Sequence, residues 1–497
     1  MGNGNLNNFN VLCKEEILKE EVKVEVKTDI STEQIEKILG VSAKVLGLTS
    51  KVSNGILTSE AKVNFQICYV ENGEIKKAEC VGALQSEKQV AEKLAEVRTM
   101  AVVYKEDADF SGIKLSVSAV VSLTHTLFER NELEISELSN ELCLLKEEEQ
   151  IFKSLSKVKS VYPVEEEFEV DFCVKEMLSL SSSAVLTAVQ CGVNTVIVDG
   201  EIYLYSTMLQ NGEKRVIIKK ENKIPFRAEL EYPDASPENF AVAFANVRSF
   251  KTDIAVDVEE NKSTITASVI LDFDTQVFVS CPVELVKDAF STEKDAALVK
   301  DEYCYYYPLS QRCVTCPITE KVNSYGVPED SNCILAFNEK AEVVAVKKIE
   351  DGVMVTGVIS FTTLLESQGK LFTTKNQVPF EKELLIGESE GAKIEVTASI
   401  SNLIIVGEKG EWEVKANLIF SATQYKKKCG TFVKNVELKG DKKVETSAIS
   451  VYIAKENESL FSLAKRLNLA PETIKETNSE LSFPLDKSQR IVIYRKI

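Results

Sequence analysis

At 497 residues the chain has room for about three domains of roughly 150 residues each. A formal charge of −18 repels phosphate backbones and anionic bilayers, which excludes non-specific binding to nucleic acid or to a membrane surface. No apolar run reaches the about 20 residues that cross a bilayer, so membrane insertion is not expected.

In chain order, residues 1 to 12 are polar and Asn-rich and read as a frayed end. They carry no basic end and no apolar core, so the chain is expected to stay in the cytoplasm. Glu21 to Lys27 alternates strictly and predicts a strand. Ser31 to Leu39 reads as a short helix stopped by Gly40, because Ile35, Ile38 and Leu39 share one face. Glu87 to Arg98 has helical character as well. Leu133 to Leu155 and Val283 to Val299 read as helical connectors; Leu138, Leu142 and Leu145 are spaced for one face of the first. A Tyr-rich run, Tyr303 to Pro308, follows the second, and residues 440 to 447 form a polar linker.

One β pattern occurs three times. Its copies are Glu60 to Asn72-Gly73, Gly200 to Asn211-Gly212 and Gly357 to Gln368-Gly369. Each alternates and ends in a polar-Gly pair suited to a tight hairpin. A pair of large apolar residues precedes each start, ending at Leu39, Leu178 and Leu335, with intervals of 21, 22 and 22 (39 to 60, 178 to 200, 335 to 357). Turn signals at Asn54-Gly55, Asn194-Thr195 and Asp351-Gly352 fall six residues before each start. Ile224-Pro225-Phe226 matches Val378-Pro379-Phe380, with no clear counterpart in the first copy. Closing strands begin at Leu115, Ile265 and Val414. The period is too long for a solenoid, so each unit is expected to hold its own core.

The only histidine is His125, and its strand setting favours an ordinary structural residue over a catalytic one. The acidic runs 146–149 and 165–167 read as solvated edges rather than paired catalytic carboxylates. The twelve cysteines read as reduced thiols. Cys304, Cys313, Cys316 and Cys333 form the one zinc-like cluster, but only Cys313 and Cys316 have close ligand spacing, so unligated thiols are favoured. No phosphate-binding Gly-rich loop, metal or other cofactor is expected, and no enzymatic activity.

From Val451 the character changes. Eight Lys/Arg against six Asp/Glu give this segment +2, leaving −20 on the other 450 residues. A strand at Val451, a helix capped by Ser459, a helix opened by Pro471 and a closing strand at Ile491 give the order β-α-α-β. This resembles a LysM domain, with Asn457-Glu458-Ser459 standing where that family usually has Gly-Asp-Thr or Gly-Asp-Ser. The resemblance implies a shallow groove for N-acetylglucosamine-containing glycans. One wall would come from Asn457, Glu458, Ser459, Leu460 and Phe461, the other from Asn478, Phe483, Pro484 and Leu485.

The whole order resembles the SipL-type spore-coat morphogenetic proteins of clostridia, built from SPOCS domains and a C-terminal LysM domain; the motif at Asp288 to Thr292 adds to the likeness. The expected fold is mostly β: three tandem antiparallel β-sandwich-like domains at 1–150, 151–300 and 301–445 with helical connectors, then the LysM domain at 446–497. The resemblance implies a structural adaptor in spore-coat assembly, made in the mother cell and placed at the forespore surface. Its partner would be the coat-foundation ATPase. The alternative is a peptidoglycan-binding or chitin-like glycan-binding wall or cortex anchor; a wall-active hydrolase is a third reading.

Overall fold

The computed structural model describes residues 7–109, 112–135, 137–139, 141–212, 216–322, 327, 331–387, 391–408, 411–442 and 449–494. The chain is mostly β, arranged in several antiparallel sheets. The first repeat runs β1 (Asn7–Ser31), β2 (Lys37–Ser53), β3 (Ile56–Glu71), β4 (Glu74–Gln89), β5 (Leu94–Asp109) and β6 (Lys114–Ile135). The second runs β7 (Cys143–Ser154), β8 (Val158–Val170), β9 (Val174–Cys191), β10 (Thr195–Gln210), β11 (Ile217–Glu231), β12 (Phe240–Asp257) and β13 (Lys262–Phe290). The third runs β14 (Lys294–Val322), β15 (Asn332–Ile349), β16 (Gly352–Ser367), β17 (Lys370–Leu384), β18 (Ala392–Glu408) and β19 (Glu411–Asp441). A C-terminal module follows: β20 (Ile449–Ala454), α1 (Leu460–Leu467), α2 (Pro471–Thr477) and β21 (Gln489–Tyr494).

The three repeats share one plan. The middle strands make a separate three-stranded meander: β2-β3-β4, β9-β10-β11 and β15-β16-β17. The closing strand pairs on one side with the opening strand and on the other with its predecessor. In the second repeat the opening strand is divided into β7 and β8, both paired with β13. Each repeat has a hydrophobic cluster drawn from both its sheets. In the first, Leu115, Val117, Val121 and Leu123 of β6 and Val63, Phe65 and Ile67 of β3 are 0% exposed. Alternation places such residues on one face, and each fully buried side chain contributes about 1.5–3 kcal/mol. β1 also pairs with β14 at Leu12 and Tyr306, which joins the first and third repeats in one six-stranded sheet.

The helices expected before the C-terminal module are replaced by strands. Among the described residues, only a 3-10 turn at Thr32–Gln34 remains of the helix at Ser31 to Leu39, and Lys37 already begins β2. Glu87 to Arg98 is the end of β4, a turn and the start of β5. The first helical connector is the end of β6 and all of β7, and the second is the end of β13 and the start of β14. At the second, a bulge between Val286 and Asp288 shifts the alternation, so Leu285, Val286, Ala289 and Phe290 are all buried. That spacing imitates a helical face. The end expected to fray is ordered from Asn7, where β1 pairs with β6. Residues 443–447 of the polar linker lie outside the described residues.

The ladder corrects the alignment of the first copy. Val63, Ile202 and Ile359 face Gly82, Ile224 and Val378, while Ala61, Gly200 and Gly357 face Leu84, Phe226 and Phe380. The copy therefore starts at Ala61 rather than Glu60, and its interval from Leu39 becomes 22 (39 to 61), like the others. Gly82-Ala83-Leu84 is the missing counterpart of Ile224-Pro225-Phe226. Asn72-Gly73 and Gln368-Gly369 both adopt positive φ, as a type I′ hairpin requires.

The repeats surround a common axis. Arg98, Phe244 and Glu395 occupy one position in the shared plan, each paired with a closing-strand residue: Thr126, Asp274 and Thr423. The three meet. Arg98 is 7% exposed, bonds the Glu395 carboxylate and stacks 4.0 Å over the Phe244 ring. It also donates to the Tyr425 hydroxyl at 3.3 Å. Further along, Leu39, Ile75, Leu178, Leu209, Phe337 and Leu364 bury together, two from each repeat.

Candidate functional site

The module is a two-stranded antiparallel sheet, Ile449 opposite Tyr494, with two short helices between its strands. Ser459 caps α1, its hydroxyl accepting the Ser462 N–H at 3.2 Å. Asn457, at φ 61, turns the chain into that cap. Its N–H donates to the Leu485 carbonyl at 2.8 Å, and the Leu485 N–H donates to the Glu458 carbonyl at 3.4 Å. The two loops expected to frame a groove are thus bonded directly to each other.

Most of the candidate groove residues face inward. The Glu458 carboxylate accepts the Arg466 fork at 2.9 and 3.0 Å and the Lys455 N–H at 2.8 Å. The guanidinium holds this carboxyl below its ordinary range, against a smaller opposing effect of burial. Asn478 is buried; its amide donates to the carbonyls of Ile474 and Val492 at 3.0 and 2.8 Å and to the Thr477 hydroxyl at 2.9 Å. Its oxygen accepts the Val492 N–H at 3.0 Å, so it clamps α2 to β21. Leu485 is 1% exposed in the module's core, and Leu460 and Phe483 pack partly against that core. Phe461 meets the Phe290 ring edge-on at 5.3 Å. Asn457, Ser459 and Pro484 remain exposed.

The Phe461 contact belongs to an attachment that sequence reasoning missed. The Asp288–Thr292 motif, read there as part of a connector, is the seat of the module. Lys465 pairs with both Asp288 oxygens at 2.6 and 2.7 Å. Asn468 donates to the Thr292 carbonyl at 2.8 Å, and Lys442 bridges the Ser291 carbonyl and the Asn468 amide oxygen at 2.8 and 2.7 Å. Cys143 and Phe290 complete the apolar contact. The charged end of α1 therefore fixes the module to the turn between β13 and β14.

A second feature was also missed. Ile449, Val451 and Ile453 alternate along β20 and stay 61%, 61% and 68% exposed, with Tyr494 opposite Ile449 at 58%. Their alternation was visible in the sequence, but which face a two-stranded sheet buries depends on what packs against it. The helices cover the face bearing Ala454, Ile491 and Ile493.

The expectation of reduced thiols is corrected at Cys304 and Cys429, while the other described cysteines are free. Cys304 is bonded to Cys429, directly opposite it in the β14–β19 ladder, so Cys304 is unavailable to zinc and these two thiols are not reduced. Cys313 packs with Val185, Tyr203, Tyr205 and Ile419, while Cys316 and Cys333 pack against the third repeat's core. Among the described residues no group of three or more His, Cys, Asp or Glu is placed to hold a metal. The bond closes a sequence separation of 125 residues, and its loss is expected to destabilise the fold by about 2–4 kcal/mol. Thermal melts with and without reductant check this. A Cys304→Ser, Cys429→Ser variant should melt like the reduced protein and ignore reductant.

Flanking that bond, Tyr303, Tyr305 and Tyr307 join the third repeat to β7. Tyr303 donates to Glu149 at 2.6 Å, Tyr305 accepts the Phe152 N–H at 3.2 Å, and Tyr307 stacks on Phe152 at 4.1 Å. His125 lies within β6, 0% exposed, its ring nitrogens 2.9 Å from Thr99 and Glu20. Among the described residues, no helix is long and apolar enough to cross a membrane.

No protein-family model, curated protein or solved structure matches the chain.

Proposed function

We propose that the chain is a structural adaptor whose three-repeat β body presents the C-terminal module to a protein partner. Each repeat reads as a β-sandwich-like, SPOCS-like unit, and the βααβ module reads as a LysM domain. The observation that carries the proposal is the outer face of β20 and β21. Four large apolar side chains on so small a sheet mark a surface that another macromolecule covers. The residues at its margin, Arg490 and Lys455, suit an acidic partner. The resemblance to the SipL-type family makes that partner the coat-foundation ATPase and places the protein at the forespore surface of the mother cell. A second reading, a peptidoglycan or cortex anchor, draws on the exposure of Asn457, Ser459 and Pro484 beside the paired loops. Both loop polar groups best suited to sugar hydroxyls, Glu458 and Asn478, are already occupied, which favours the protein partner. A fluorescent fusion in sporulating cells is expected to form a shell around the forespore. A uniform signal, or a septal pattern in growing cells, would count against the adaptor. Titration with soluble peptidoglycan oligomers checks the second reading, for which tight saturable binding is required.

A further inference from the structure

Between the repeats lie two adjoining cavities of about 310 and 370 Å³. All three repeats line both, and Lys44, Val102, Ser182 and Ser399 belong to both walls. Lys44, Ser183 and Lys340 hold one position in the common plan, opposite Asn64, Tyr203 and Ser360. Their charges are handled differently. The Lys340 amine pairs with Glu106 at 2.8 Å, and the nearby Glu339 carboxylate pairs with Lys219 at 2.7 Å. The Tyr205 hydroxyl donates to the Ile400 carbonyl. Among the described residues Lys44 has only the Ser182 hydroxyl, at 3.1 Å, and the Phe250 ring 5.3 Å from its nitrogen. Among the described residues it has no carboxylate partner. Asn64, directly opposite on β3, makes no side-chain hydrogen bond to a described residue and also faces the cavity.

A lysine lacking a counter-charge in a chamber between three domains is costly for folding alone. Burial brings its amine down to about 7, so near neutral pH the site holds a partial positive charge that an anion would complete. The walls also set the rest of the ligand. Val102 stays 37% exposed within the chamber, and Phe250 and Ile400 lie beside it. We propose that the chamber binds a small organic carboxylate, its charged end held by the Lys44 ammonium and the Asn64 amide and its apolar body lying against Val102, Phe250 and Ile400. This inference is independent of the adaptor reading, since the module contributes no residue to the chamber.

Hexanoate is a suitable probe, with 1-hexanol as its uncharged control. Calorimetric titration of the full chain should show saturable hexanoate binding and at least about tenfold weaker binding of the alcohol. Binding should weaken as pH rises above 7, because the neutral amine no longer pairs with the carboxylate. Lys44→Met should lose the same factor of about ten for hexanoate while keeping its affinity for the alcohol. Asn64→Asp places a carboxylate opposite Lys44, so it should raise the melting temperature at pH 7 and abolish hexanoate binding. The second variant separates loss of the site from loss of the fold. Absence of saturable hexanoate binding at millimolar concentration, or equal affinity in the parent and Lys44→Met, overturns the proposal.

Discussion

Arg98→Met is expected to destabilise the body by about 3–5 kcal/mol, read as a lower urea midpoint. The substitution keeps the length of the side chain and removes its charge. It leaves the Glu395 carboxylate, 17% exposed, without the guanidinium that bonds it, and it removes the cation from the Phe244 face. Lys393, 2.7 Å from the other Glu395 oxygen, can offset only part of the loss. Adding Glu395→Gln to the variant should recover part of the stability, because it removes the orphaned charge. A double-mutant cycle measures that coupling. An unchanged midpoint for Arg98→Met would show that this contact does not hold the three repeats together.

The second large effect is expected at a glycine. Gly357→Val should cost about 3 kcal/mol or more, because a Cβ at this position falls inside contact distance of the Glu342 carbonyl and the Phe380 ring. Neither obstacle is a flexible chain end. The Glu342 carbonyl belongs to the paired β15 backbone, and Phe380 is 4% exposed in the third core. Gly200 is built alike, its missing Cβ 2.5 Å from Phe226 and 2.6 Å from the Val185 carbonyl. The C-terminal module should remain folded in Gly357→Val, since its core draws on Phe290 and Cys143 of the second repeat rather than on the third. Gly212→Ala is the control: nothing lies within 4 Å of its Cβ, and its melting curve should match the parent's. Equal melting of Gly357→Val and the parent would remove the steric basis of the shared Gly-Phe pair.

The repeats, their hairpins and their closing strands were legible because alternation and polar-Gly turns are local signals. Leu115, Ile265 and Val414 all proved to be fully buried residues of the closing strands. The connectors were not legible, because period-based reading assumes a strand that keeps one face buried. β13 is 29 residues long, passes from the second core to the contacts with β14 and the module, and changes its buried face at a bulge. Leu138 and Leu144 likewise pack with Val286 and Val433 rather than along a helix. The axial trio was invisible for a different reason. Arg98, Phe244 and Glu395 are equivalent in position and unlike in chemistry, so no repeat search aligns them. At the module, the order β-α-α-β and the Ser459 cap were readable, while the use of Glu458, Asn478 and Phe461 was not. Each is occupied by a partner distant in sequence or by a second element: Arg466, Val492 and Phe290.

The adaptor reading is tested most directly at the exposed sheet face. Val451→Glu and Ile453→Glu together place two charges at residues that are 61% and 68% exposed, so the fold should be unaffected. The measurement is capture of the coat-foundation ATPase by the full-length protein, parent and double variant side by side, with melting temperature as the folding control. The parent should capture the ATPase, and the double variant should lose that capture at an unchanged melting temperature. Equal capture by both proteins, or no capture by the parent, would contradict the assignment of this face to a protein partner.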